Sequence, residues 1–184
     1  QVLRAIRDIV EEHSSAFAEF ASPLATFLVD DDRAVRLTTA KLFVSLARPE
    51  PRVVEPVVDA LADRLADDEE FYYVRARCAE ALGYVAVDAP DAVTGPELLA
   101  DLRIGLTFDE PEVKTKLAKA LAHVAVGNPR RLRHHVGDLA THLDSDNELV
   151  RYHLCTALVA VGCESPDALS AAADALRDRA DDPD

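Results

Sequence analysis

Val74-Arg75-Ala76-Arg77-Cys78-Ala79-Glu80-Ala81-Leu82-Gly83-Tyr84-Val85 sets its apolar residues three and four apart, the spacing of one face of an α-helix. The opening pair recurs as Val35-Arg36, Val113-Lys114 and Val150-Arg151, so the four valines are 39, 39 and 37 residues apart. Eight residues after each valine stand Phe43, Leu82, Leu121 and Leu158, and eleven after stand Leu46, Val85, Val124 and Val161. The sixteenth residue is always proline: Pro51, Pro90, Pro129 and Pro166. Columns that agree at such a period mark a helical solenoid, in which each unit covers its apolar face with the next unit.

Each register valine is preceded by a polar turn and, before that, an earlier apolar helical run. These first-layer runs carry Leu24, Phe27 and Leu28; Val58, Leu61 and Leu65; Leu99, Leu102 and Leu106; and Val136, Leu139 and Leu143. The turns contain Asp30-Asp31-Asp32 and Asp109-Glu110-Pro111-Glu112, acids suited to the positive end of the second helix. Asp109 with Glu112 reads as a capping box. Repeat two has two extra residues, so Glu69-Glu70-Phe71-Tyr72-Tyr73 is predicted to bulge as a longer loop, whose aromatic cluster packs onto the adjacent loop or, where exposed, offers a contact point. Val2 to Val10 reads as a second helix without its first, and Pro166 to Ala180 as a first without its second. The organisation predicted is one domain over 1–184: a half repeat at 1–17, repeats at about 18–50, 51–89, 90–128 and 129–165, and a half repeat at 166–180. The acidic tail Asp181-Asp182-Pro183-Asp184 is predicted to fray.

Trp and Met are absent, and Ala, Leu and Val carry the apolar content, which suits close helix stacking. There are 34 acidic against 20 basic residues, for a net charge of −14, and the basic residues include only four lysines. An Asp-rich, Lys-poor composition resembles that of salt-adapted archaeal proteins. At molar salt the Debye length is about 3 Å, so such acidity serves hydration and solubility more than long-range attraction. The three cysteines show no CxxC and imply neither a disulfide framework nor a zinc site. Cys155 occupies the column of Ala40, Ala79 and Ala118, which predicts a small buried residue. No long apolar run is present, and a soluble cytoplasmic protein with no membrane partner is expected.

The segment Val74 to Gly83 resembles the second-helix signature of HEAT repeats, especially the short bacterial and archaeal type related to phycobilisome-lyase repeats. The likeness covers about residues 1–180. It implies an all-α, right-handed α–α superhelix (a HEAT-like, armadillo-like solenoid) of about ten helices in antiparallel pairs, with second helices on the concave side. It also implies a structural ladder in which the basic residue after the register valine, here Arg36, Arg75, Lys114 or Arg151, meets an acid of the turn. Asp31, Asp109 and Asp146 hold that acidic slot, with Glu70 in repeat two. No lyase-specific residue is present to carry over, and a HEAT-like fold by itself names no function.

The predicted second helices, 35–47, 74–87, 113–126 and 150–162, hold eight cations against Glu80 alone, a net of +7, and contain all four lysines. Charge is therefore segregated by face. Slots three, six and ten after the register valine present Lys41, Arg77, Tyr84, Lys116, Lys119, His123 and His153, with Tyr152 beside them. The function expected is a non-enzymatic protein-interaction scaffold, with this stripe docking an acidic or amphipathic partner segment. The second reading is nucleic-acid binding, with Tyr84 and Tyr152 stacking on bases, although phosphate-driven binding weakens steeply with salt. His134, Asp138 and His142 have ligand-like spacing but lie opposite the apolar side of their helix, so a solvated convex face explains them and no metal is expected. The paired His-Glu dipeptides of iron-binding hydroxylases on this fold are absent, and Glu12-His13 is the reverse order. Neither a nucleophile motif nor a cofactor loop is evident. Gly83, Gly127 and Gly162 read as sites of close packing or helix ending.

Overall fold

The computed structural model describes Ile6, Ile9, Val10, residues 14–93 and residues 95–180. The described residues contain ten α-helices and no strand. They are α1 (Ala21–Ala25), α2 (Arg33–Ala47), α3 (Val58–Ala66), α4 (Tyr72–Asp88), α5 (Pro96–Ile104), α6 (Pro111–Gly127), α7 (Pro129–Leu132), α8 (Val136–Ala140), α9 (Glu148–Glu164) and α10 (Ala173–Asp178). The chain is a right-handed α–α superhelix. Its second layer is α2, α4, α6 and α9, each opening two residues before its register valine.

The repeating columns are the core. Phe43, Leu82 and Leu121 are wholly buried and Leu158 is 1% exposed, while Leu46, Val85, Val124 and Val161 are wholly buried. Truncating such a leucine to alanine typically costs about 2–5 kcal/mol, so these columns hold the stack together.

The first layer is segmented, where the periodicity predicts one helix per unit. Proline opens each short 3-10 or α segment at 51, 90, 129 and 166, where its missing N–H costs nothing. A second proline, Pro56, cannot donate to the preceding turn, so two 3-10 turns over 51–57 precede α3. Near α5 the cause is packing: a Cβ on Gly105 would strike the side chain of Leu117 on α6, and the chain tightens into a 3-10 turn there.

Second-layer helices pack on one another more extensively than first-layer helices do. At Gly83 a Cβ would lie 2.8 Å from Cα of Ala120, and at Gly127 it would meet the Ala86 carbonyl. No described residue has positive φ, so these glycines permit close approach and do not supply left-handed helix ends. The closer-packed layer lies inside the curve, which places α2, α4, α6 and α9 on the concave side.

Several local expectations are corrected. Phe27 is 40% exposed, because the chain tightens into a 3-10 turn over Thr26–Val29 and rotates it off the buried face. In repeat two the aromatic cluster takes the packed alternative and not the exposed one. Phe71, Tyr72 and Tyr73 are half-buried and pack on one another with centroids 4.7–5.3 Å apart, and Arg33 lies 4.5 Å over Phe71. Asp109 does not cap, because α6 starts at Pro111 with Glu110 as its N-cap residue. The side-chain caps of the second layer are Asp32, which accepts from the Ala34 N–H, and Asn147, which accepts from Leu149 and Val150. Cys155 is half-buried, since no further helix covers its flank of α9 among the described residues; Cys78 is buried and Cys163 exposed. The half repeat at 1–17 falls largely outside the described residues, as do Glu12-His13 and the tail 181–184.

Candidate partner-binding face

Across α4 and α6 the concave side chains form one cluster around Glu80. The Glu80 side chain is 5% exposed and accepts from Arg77 at 2.8 Å and Lys116 at 2.9 Å, with the Lys119 ammonium 3.9 Å away. Burial raises the pKa of this carboxyl, but the hydrogen bond and charge of Lys116, followed by those of Arg77, outweigh burial and bring it below the usual value. Arg77 also reaches Glu112 at 2.7 Å. Lys119 donates to the Tyr84 hydroxyl at 2.7 Å and lies 4.7 Å over its ring, and Tyr84 stacks on His123 at 5.2 Å.

His153 stands on α9 facing this cluster. Burial lowers its pKa first, and then Lys119 and Lys116 lower it further. His123 is lowered by burial, then by Lys119 and His153. Both imidazoles are therefore held neutral beside cations, and an approaching anion would favour their protonation.

The structure thus brings together Arg77, Tyr84, Lys116, Lys119, His123 and His153. Lys41 lies on α2, one helix further back, and has no hydrogen-bond or ion-pair partner among the described residues. Tyr152 is 65% exposed on the far flank of α9, where with Leu149 and Cys155 it lines a cleft of about 370 Å³. Most of the stripe is half-buried, because Arg77, Lys116 and Lys119 each reach a side chain of the neighbouring helix. Sequence reasoning counted Glu80 as the lone acid of the layer but missed that it is the hub. The available signal was its position three residues after Arg77 and one repeat before Lys116.

The basic residues after the register valines lie at the layer edge. Arg36 grips Glu70 through two bonds of 2.7 and 3.0 Å and also donates to the carbonyls of Asp30 and Asp31. Arg75 donates to the Leu65 carbonyl and pairs with Asp68 at 3.3 Å. Arg151 donates to the Ser145 carbonyl. Lys114 lines a cleft of about 330 Å³ with Asp109, Asp144 and Asp146. Partners thus include carbonyls and the following repeat's turn as well as carboxylates. On the convex side, Asp138 pairs with Arg103 and His134 accepts from Arg133, while His142 lines a cleft with Asp138 and Arg103 and also the cleft beside Lys114. No group of three potential metal-binding side chains occurs among the described residues, and no described helix is long and apolar enough to cross a membrane.

No protein-family model matches the chain, and no curated protein matches it. Among solved structures, the designed armadillo repeat protein YIII(Dq)4CqI is similar over 99% of this chain and 85% of its own, with TM-score 0.82 and 20% identity. Designed armadillo repeat protein YIII(Dq.V1)4CPAF, in complex with the peptide (KR)4, is similar over the same shares with TM-score 0.84 and 18% identity. Computationally designed armadillo repeat proteins for modular peptide recognition match over 94% of this chain and 79% of theirs, with TM-score 0.79 and 19% identity. At these identities the likeness establishes the fold, a helical-repeat solenoid of armadillo type.

Proposed function

We propose that the chain is a non-enzymatic protein-interaction scaffold of the HEAT and armadillo kind, whose concave face docks an acidic or amphipathic partner segment. The observation that carries this reading is charge segregation. The four concave helices hold nine cations against five acids, a net of +4, in a chain of −14. The solenoid neighbours include one solved with the basic peptide (KR)4. Here the layer that would face a peptide is itself net positive, so the fitting ligand is anionic. Lys119, His123 and His153 supply charge and protonatable donors, while Tyr84 and Tyr152 supply flat amphipathic surface. In this reading Arg36, Arg75, Lys114 and Arg151 act as the structural ladder at the edge of the layer. A protein of salt-adapted composition would place affinity largely on apolar and aromatic contact, because exposed charge pairs contribute about 0–1 kcal/mol.

The test uses labelled glutamate-rich peptides, (KR)4 and a single-stranded oligonucleotide, titrated by fluorescence anisotropy at low and high salt. Binding of the acidic peptides, weakened in a Lys41→Gln/Lys119→Gln variant, supports the reading. Preference for (KR)4 overturns it, and capture of the oligonucleotide instead moves the assignment to nucleic acid. Charge reversal at Lys116 and Lys119 is the poorer variant, since it would crowd two new carboxylates against buried Glu80.

A further inference from the structure

Lys41, Glu80 and Lys119 occupy one column, six residues after successive register valines, and so stand in a row along the concave groove on α2, α4 and α6. The Lys116 to Glu80 contact of 2.9 Å sets the step between neighbours: slot three of one helix meets slot six of the helix before it. The same step sets His153 beside Lys119, in agreement with Lys119 being the strongest charge acting on that imidazole. It sets Arg77 beside Lys41, but the Arg77 guanidinium turns forward to Glu80 and Glu112.

The three positions in the row differ in what they offer. Glu80 is closed, with one oxygen bonded to Arg77 and the other to Lys116. Lys41 is half-buried and unpaired among the described residues. Lys119 bonds a neutral phenol and keeps 3.9 Å from the nearest carboxylate oxygen, with a neutral imidazole on its other side. Positive charge is therefore available at two points, separated by a neutralised one.

We infer that the ligand of this face is an extended peptide carrying two acidic side chains about six residues apart, one seated at Lys41 and the other at Lys119; this rests on the reading of the face as a dock for acidic segments. Two interhelix steps of about 8–10 Å separate the points by roughly 16–20 Å, and an extended chain rises about 3.3 Å per residue. That span holds about five or six residues. Side chains alternate between faces of an extended chain, so two acids reach the same groove only at an even separation. Acids at i and i+6 satisfy both length and parity, whereas i and i+5 turn one acid to solvent and i and i+4 fall short. A central acid would meet the neutralised Glu80 cluster and gain no charge pair there.

The experiment measures binding of the full chain to labelled extended peptides with glutamates at i and i+6, at i and i+5, and with one glutamate, by anisotropy at low salt. The i, i+6 peptide is expected to bind about two- to fivefold tighter than either of the others, as for one added exposed charge pair. Lys41→Met is expected to bring the i, i+6 peptide down to the affinity of the single-glutamate peptide, with folding checked by circular dichroism. Equal affinity for the i, i+6 and i, i+5 peptides on the unaltered chain overturns the spacing, even where Lys119→Met weakens both and the dock for acids stands. Absence of binding to every acidic peptide overturns both.

Discussion

Replacing Glu80 by glutamine should make the fold less stable and the concave face more adhesive at once. The carboxylate is 5% exposed and serves Arg77 and Lys116 directly, with Lys119 at 3.9 Å. Removing one partner of a buried pair costs about 3–5 kcal/mol when the other is left buried and unpaired. Here the cations retain 20–26% side-chain exposure and can rehydrate, so a loss of about 2 kcal/mol is the reasonable figure. For a chain of this size that lowers Tm by about 4–8 °C. The pH dependence has a definite sign. The folded carboxyl titrates below its ordinary value of 4.5, so its stabilisation is complete above 4.5 and disappears as pH falls through the lowered value. The gap between the parent and the Glu80→Gln variant in thermal denaturation should therefore be full near neutrality and narrow in acid. In parallel, Lys116 loses its internal counter-ion, and glutamate peptides should bind about two- to fivefold tighter at low salt. A Glu80→Gln variant that melts at or above the parent temperature at neutral pH would show that desolvation of the carboxylate cancels its pairing, and would remove the hub from the account of this face.

Two further outcomes test the packing. Gly83→Ala should destabilise by about 1–3 kcal/mol despite the better helix propensity of alanine, because the new Cβ would lie 2.8 Å from the Ala120 backbone; a melt unchanged from the parent would mean that α4 and α6 separate freely. Thiol labelling in native buffer should modify Cys163 first and Cys155 more slowly, and should spare Cys78 until denaturant is added. Cys78 is wholly buried and burial pushes its thiol pKa well up, so rapid labelling of all three would contradict the packing of α4.

How much was legible in the sequence follows from which forces repeat. The residues eight and eleven beyond each register valine report burial, which is a property of column position, and the structure buries Phe43, Leu82, Leu121 and Leu158 to 1% exposure or less, as it buries three of the four valines, Val35 being half-buried. Segmentation of the first layer depends on single residues that do not recur, such as Pro56 and Gly105, and a periodic reading averages them away. The displacement of Phe27 has the same origin, one tight turn. Charge was legible as a sum and illegible as an arrangement. The predicted helix spans give +7, but the helices extend further at both ends and take in Arg33, Asp88, Glu112, Glu148 and Glu164, which brings the layer to +4.

That reduction changes what the face can do. A uniform basic stripe would attract any polyanion along its length, and its ligand would be defined by charge alone. Glu80 and Glu112 instead occupy Arg77 and Lys116, so the middle of the groove is electrically closed and positive charge remains toward its two ends. A buried acid among surface cations costs desolvation, yet the charge and hydrogen bonds of its partners keep Glu80 ionised. The consequence is a face that discriminates by spacing: the central acids of a dense polyanion find no free cation at the closed middle, whereas a segment with two separated acids bridges it. Removing the Glu80 carboxylate should therefore raise affinity for evenly acidic peptides more than for spaced ones, and titrating both peptide classes against the Glu80→Gln variant measures that difference directly.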